Sequence, residues 1–239
     1  MSGAGLIVAL PEESRSLGLR LTRGNDPVRV GGASVLVGGA GPDNARRAAE
    51  RLLEAGADGL ISWGCAAALH PSLRPGALLL PGRVIGCDGA ALEADRDWHR
   101  RLGAALAAAK ISYGSGDLAE SRSIVATVEN KRALATRSGA HAVDMESAAV
   151  ARAARAANKP FVAIRAVADP ADMAVPSTVL HAMNADGKVD LRRLLLALCA
   201  RPGELPALIR LGMHFSAALA ALRGVHGVAP DFLLPAPAQ

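Results

Sequence analysis

The chain has 239 residues, 51% of them hydrophobic and 21% charged, with a formal charge of +5. That length supports one large α/β domain with a sizeable core, and the composition excludes an intrinsically disordered chain. The arginines are dispersed and only three Phe, two Trp and one Tyr are available for stacking, so the basic balance points to an anionic small ligand or membrane surface rather than nucleic acid.

The chain opens with "GLIVAL" (5–10), a continuous apolar run stopped by Pro11, as expected of a strand covered on both faces. This run is far too short for a signal segment or membrane span, and no basic region precedes it, so a cytoplasmic protein is expected. "ASVLVGGAG" (33–41) repeats the strand pattern with a glycine-rich end. Pro42 and Asp43 then open a helix with Ala45, Ala48, Ala49, Leu52 and Leu53 at helical spacing, closed by Gly56. "GLISWG" (59–64) returns as strand, which predicts a right-handed parallel crossover. "ALLLPGRVIG" (77–86) gives one or two strands. A helix over 97–110, a strand near 123–127 and a short helix over 130–137 follow.

"HAV" (141–143) is a brief strand leading into a helix over 146–158, and "FVAIRAVAD" (161–169) is the clearest buried strand. The fold class is three-layer α/β with a mostly parallel sheet, one domain over 1–239. Its helical C-terminal part, about 176–226, contains two helices broken at Arg201, Pro202 and Gly203. These either cover the sheet or serve as a lipid-facing or membrane-surface element, because arginines lie beside an apolar face. The tail "PAPAQ" is expected to fray.

Ligands in such sheets collect at the carboxyl ends of strands. Four acids fall there: Glu13, Asp144, Glu146 and Asp169. Each also has an ordinary structural reading: Asp144 as helix cap, Glu146 in a first helical turn, Asp169 as the turn residue before Pro170, Glu13 as a helix-start acid. Four acids on one rim would repel one another unless a ligand or proton separates their roles, and paired carboxylates with displaced pKa values are a means of cleaving glycosidic bonds. Cys65, Cys87 and Cys199 are too few and too dispersed for a disulfide framework or zinc site. The six histidines (70, 99, 141, 181, 214, 226) lack ligand spacing, so no metal is expected.

The stretch "VDMESAAVARAARAANKPFVAIRAVAD", with "GLIVALPEE" and "GGAGPDNARRAAERLLEAGADGLISWGCAAALHPSLRPGALLLP", resembles the nucleoside phosphorylase and nucleosidase superfamily. "VADPADMAVP" and the leucine-rich region after it resemble that superfamily's hopanoid-associated branch, proposed to remove adenine from adenosylhopane. The resemblance implies that Asp169 protonates the departing purine, Glu146 accepts ribose hydroxyls, Met145 packs under the ribose and Glu13 activates water. Asp144, Gly64 and Cys65 fall at further substrate-binding positions, and Gly39 and Gly41 at a candidate phosphate loop.

This sequence departs from the family pattern at several places, among them Ala66–Ala68 in place of a more glycine-rich run and Asp144 where some members carry Glu. Ser62 stands where phosphorolytic members carry an arginine, Cys65 where a serine is usual, and Ala168 where nucleosidases carry a serine. The substrate implied is a small or lipid-linked nucleoside, with no cofactor beyond inorganic phosphate as an alternative co-substrate to water. A methylthioadenosine or adenosylhomocysteine nucleosidase and a non-catalytic nucleoside-binding protein are the competing readings. Family members associate through faces near the site, which implies a homo-oligomer.

Overall fold

The computed structural model describes residues 3–24, 26–182 and 190–228. The tail expected to fray lies outside the described residues. In chain order the strands are β1 (Ala4–Val8), β2 (Val28–Val30), β3 (Ala33–Val37), β4 (Gly59–Ala68), β5 (Leu78–Leu79), β6 (Arg83–Ile85), β7 (Ala91–Glu93), β8 (Tyr113–Gly114), β9 (Leu118–Glu120), β10 (Ala142–Asp144) and β11 (Phe161–Asp169). The helices are α1 (Pro11–Ser14), α2 (Pro42–Glu54), α3 (Arg96–Ala108), α4 (Val128–Ser138), α5 (Ser147–Ala156), α6 (Ser177–Ala182), α7 (Leu191–Ala200) and α8 (Leu205–Val228).

All these strands join one sheet, in which β2-β3-β1-β4-β10-β9-β6-β7 run side by side while β11 pairs with β4 and β5. The sheet is mostly parallel, as expected, with four antiparallel pairs: β2 with β3, β4 with β10, β5 with β11 and β6 with β7. The strand expected near 123–127 is displaced to β9. Residues 121–127 leave the sheet after Ser121 donates its N–H to the Asp144 carbonyl, and Ile124 is exposed. The run 77–86 divides at Pro81 and Gly82 into β5 and β6, which sit in different parts of the sheet.

Period-two alternation sorts the strand residues onto two covered faces. Leu6, Val8, Ile61, Trp63, Val162 and Ile164 pack beneath Trp98 and Leu102 of α3 and Ala218, Leu222 and Val225 of α8. Ile7, Leu60, Phe161, Ala163 and Val167 pack beneath α2 and α5, whose contact faces are nearly all alanine. Alanine lets those two helices lie close to the sheet and to each other.

The long strand β4 creates the crevice. Along one edge β1 accompanies it from Gly59 to Trp63, and β10 takes up pairing only at Ala67 and Ala68. Along the other edge β11 pairs with it throughout, from Leu60 to Ala67. Residues 64–66 therefore lie where β1 and β10 diverge, the switch point at which an open α/β sheet offers ligand space. The turn after β1 is pinned beside this opening: Trp63 Nε1 donates to Ser16 Oγ at 2.9 Å, and Ser16 Oγ donates to the Glu13 carbonyl at 2.6 Å.

Candidate active site

Glu13 fills the gap that the departing strands leave. Its Oε1 accepts the Cys65 N–H at 2.8 Å, and its Oε2 accepts the N–H groups of Ala9 and Leu10, both at 2.9 Å. An ionised carboxylate has about four lone-pair positions, so three backbone donors leave about one for a further hydrogen bond. Burial raises the Glu13 pKa above the ordinary glutamate value, while the charge of Arg165 and the three backbone donors oppose the rise. Gly64 permits this approach, since a Cβ there would meet Glu13 Oε1 and lie 2.6 Å from Arg165 Nη1.

Arg165 is the residue that sequence reasoning missed. It lies in the middle of β11, 1% exposed, on the same sheet face as Ser62 and directly beside Gly64 in register. Its Nε pairs with Asp144 Oδ2 at 2.6 Å, and its Nη2 donates to Ser147 Oγ at 2.9 Å and to Ser62 Oγ at 2.5 Å. Ser147 Oγ in turn donates to Asp144 Oδ2. Burial works against the guanidinium charge, but the carboxylates of Asp144, Glu146 and Glu13 outweigh it and hold Arg165 protonated above its ordinary range. The signal was present as the one charge in "FVAIRAVAD" before its terminal acid, because a charge inside a strand covered on both faces requires a buried counter-ion.

This network separates the acids of the expected rim. The Asp144 side chain is turned inward, 1% exposed, and engaged by Arg165 and Ser147, while its Oδ1 accepts the N–H of Glu146 at 3.3 Å and of Ser147 at 3.2 Å. It holds the junction rather than facing a ligand, which corrects its expected place among the substrate contacts. Glu146 Oε1 accepts the Gly41 N–H at 2.8 Å and Oε2 the Met145 N–H at 3.3 Å, leaving capacity on both oxygens. Burial, then the charge of Asp144, push the Glu146 carboxyl up to about 7 against the pull of Arg165.

Met145 is half-buried beside Gly41. The half-buried Cys65 contributes its backbone N–H to Glu13; burial and then the Glu13 charge raise its thiol pKa well above the ordinary value, so it is no nucleophile.

Asp169 stands at the end of β11, opposite Ala67, where β10 also ends its pairing with β4. Its partner is a second residue that sequence reasoning missed: Lys131 of α4, fully buried, with Nζ 2.7 Å from Asp169 Oδ1. Lys131 also donates to the carbonyls of Pro170 at 2.8 Å and Met173 at 2.7 Å, which fixes the ammonium in place. Burial raises the Asp169 pKa and the charge of Lys131 opposes it. In the sequence Lys131 looks like any lysine of a charged surface helix, so nothing there marks it.

In the glycine-rich segment after β3, expected as a candidate phosphate loop, three backbone donors are already engaged. The N–H groups of Gly38 and Gly39 donate to the carbonyls of Val8 and Ala9, and that of Gly41 donates to Glu146, whose charge would repel a phosphate. A Cβ on Gly39, whose φ is +98°, would lie 2.8 Å from Arg23 Nε. That guanidinium already donates to the Gly38 carbonyl and to Asn44. Ser62 is equally unavailable, buried and bonded to Arg165. No group of three or more metal-ligating side chains occurs among the described residues.

Fold and site define an α/β protein whose buried carboxylates gather where strands diverge. The chain belongs to the phosphorylase superfamily, whose family model matches residues 6–200. It shares its fold with the 5'-methylthioadenosine/S-adenosylhomocysteine nucleosidase of Helicobacter pylori solved with butyl-thio-DADMe-Immucillin-A, at 16% identity and a TM-score of 0.70, covering 97% of each chain. The corresponding enzyme of S. pneumoniae, with the inhibitor MT-ImmA, gives 21% identity and a TM-score of 0.69 over 98% of each chain. Futalosine hydrolase of Helicobacter pylori gives 17% identity and 0.67 over 94% of this chain and 97% of that one. The comparison with curated protein sequences gives no match.

Two outcomes follow from this electrostatic arrangement. Arg165→Met leaves the carboxylates around it without their cation, and at neutral pH it should lose on the order of 3–5 kcal/mol in urea unfolding, less in acid. Undiminished stability at neutral pH would contradict the network.

Glu146→Gln should do the reverse. The raised native pKa of Glu146 makes its contribution to stability fully present below the ordinary value of 4.5, and lost as pH rises through about 7. The neutral amide oxygen can still accept from Gly41. The variant should therefore match wild type near ~pH 4.5 and exceed it by on the order of 2–3 kcal/mol near ~pH 8, a difference that equal unfolding midpoints at both pH values would exclude.

Proposed function

We propose that this protein cleaves the N-glycosidic bond of an adenosine-like nucleoside bearing an apolar 5′ substituent, adenosylhopane being the leading candidate, with water as acceptor. The observation that carries the reading is the cluster of buried acids beside β4. There Glu13, anchored by three backbone N–H groups, and Glu146, anchored by Gly41, are both buried around one guanidinium, with Asp169 held separately by Lys131.

The bond breaks toward a cationic sugar and an anionic base. Glu146, once ionised, accepts from ribose hydroxyls and stabilises the developing positive charge, with Met145 beneath the sugar. Asp169, its pKa raised by burial, delivers a proton or hydrogen bond to the leaving purine, and Lys131 then stabilises the carboxylate that results. Glu13 uses its remaining acceptor capacity to hold a water and take its proton. Water is favoured over phosphate because the Gly38, Gly39 and Gly41 amides are already engaged and Ser62 is bonded to Arg165.

The apolar 5′ group is supported by the resemblance of the C-terminal third to the hopanoid-associated branch and by the leucine-rich helices there. A second reading, a nucleosidase for methylthioadenosine or adenosylhomocysteine, is favoured by the fold shared with enzymes of that name.

Adenine release by the purified chain should proceed faster with adenosylhopane than with methylthioadenosine. The opposite ranking selects the second reading, and release from neither contradicts both. Asp169→Asn should lower kcat by about 10²-fold or more with a much smaller change in KM, because its contribution belongs to the transition state. Equal losses in kcat and affinity would indicate a structural role instead.

A further inference from the structure

We propose that the outer faces of α7 and α8 form a docking surface for an anionic phospholipid bilayer. Of the seven large hydrophobic side chains exposed among the described residues, six lie on these two helices: Leu195, Leu196, Leu205, Ile209, Met213 and Val228. They are not marginally exposed, Leu196 being 72% and Met213 65% accessible. Leu205, Ile209 and Met213 recur every four residues and so form one stripe along α8, while Leu195 and Leu196 are adjacent on α7.

The charge pattern selects the partner. Neither helix contains an Asp or Glu, whereas Arg192 and Arg193 of α7 and Arg210 and Arg223 of α8 are all exposed. The one acid in the link between them, Glu204, is turned toward α6, accepting from Ser177 Oγ at 2.6 Å and from the Thr178 N–H at 2.9 Å. Asp190, the N-cap of α7, lies 3.8 Å from Arg193 and offsets it, which leaves Arg192, Arg210 and Arg223 beside the apolar stripe to complement an anionic lipid surface, whereas a second copy of the same face would bring arginine against arginine.

The segment 202–228 is long and apolar enough to cross a membrane by length and composition. It does not do so here, because Ala218, Leu222 and Val225 are fully buried in the core with Trp63 and Trp98. The helix is held to the sheet by one face and presents the other.

The inference rests on the proposed function for its purpose, though not for its evidence. α8 also packs along β11, the strand that ends in Asp169, so one helix joins the lipid-facing stripe to the neighbourhood of the site. A nucleoside with an apolar 5′ tail would be met at the surface where the tail partitions.

Flotation of the full chain with phosphatidylcholine vesicles, and with phosphatidylcholine vesicles containing phosphatidylglycerol, tests the proposal. Binding should require phosphatidylglycerol, weaken with salt, and fall about fivefold for each of Arg192→Gln and Arg210→Gln. The triple variant Leu196→Gln, Ile209→Gln, Met213→Gln should lose binding while keeping its urea unfolding midpoint. Three results would overturn the proposal: no vesicle binding by wild type, binding indifferent to phosphatidylglycerol, or self-association in solution that the triple variant abolishes, which would assign the face to a second copy. Vesicle binding needs no substrate, so failed adenine release alongside intact binding would count against the proposed reaction alone.

Discussion

A guanidinium with no access to water, set among three carboxylates, is the constraint on which the rest of this structure depends. Removing Arg165 from water costs several kcal/mol, and burying Asp144, Glu146 and Glu13 without it would cost more. The set is tolerable only as a whole. Asp144 binds Arg165 directly, Ser62 and Ser147 accept from its Nη2, and Gly64 supplies the space where Glu13 and the guanidinium approach one another. Because each member satisfies another, the site's geometry is fixed before any ligand arrives.

The fold makes room for that network. β4 outlasts β1, and β10 does not begin pairing until Ala67, so one stretch of β4 edge lacks a strand partner and Glu13 takes the Cys65 N–H in its place. The residues brought to the opening differ in task because their surroundings differ. Glu146 lies beside another acid and titrates near neutrality, whereas Asp169, separated from that group, answers to Lys131. Burial raises the pKa of both carboxyls, and the neighbouring charge then distinguishes them: Asp144 pushes Glu146 further up, whereas Lys131 pulls Asp169 back.

Much of this arrangement was legible in the sequence. The apolar runs of β1, β3, β4 and β11, the alanine periodicity of α2 and the break between α7 and α8 follow from local pattern, which these elements obey because packing and propensity agree. Where they disagree, pattern failed. "SIVAT" reads as strand by composition, yet it joins no strand among the described residues, its Ala126 carbonyl accepting only the Val175 N–H of a loop, and the chain leaves the sheet one segment earlier. The "GGAG" run reads equally as a phosphate loop or a strand-to-helix turn, and local pattern does not reveal that its Gly38, Gly39 and Gly41 N–H groups serve β1, the turn after it and Glu146. The Arg165 charge was visible but unread, and the Lys131 contact to Asp169 joins residues 38 apart, which no local pattern encodes.

The central proposal is that Glu13, anchored by three backbone N–H groups beside Arg165, serves as base for water, and that water rather than phosphate is the acceptor. The most direct test is ³¹P NMR of a completed cleavage reaction run in phosphate buffer. The account predicts free base with inorganic phosphate as the only phosphorus signal. A sugar 1-phosphate formed in step with the released base would contradict it.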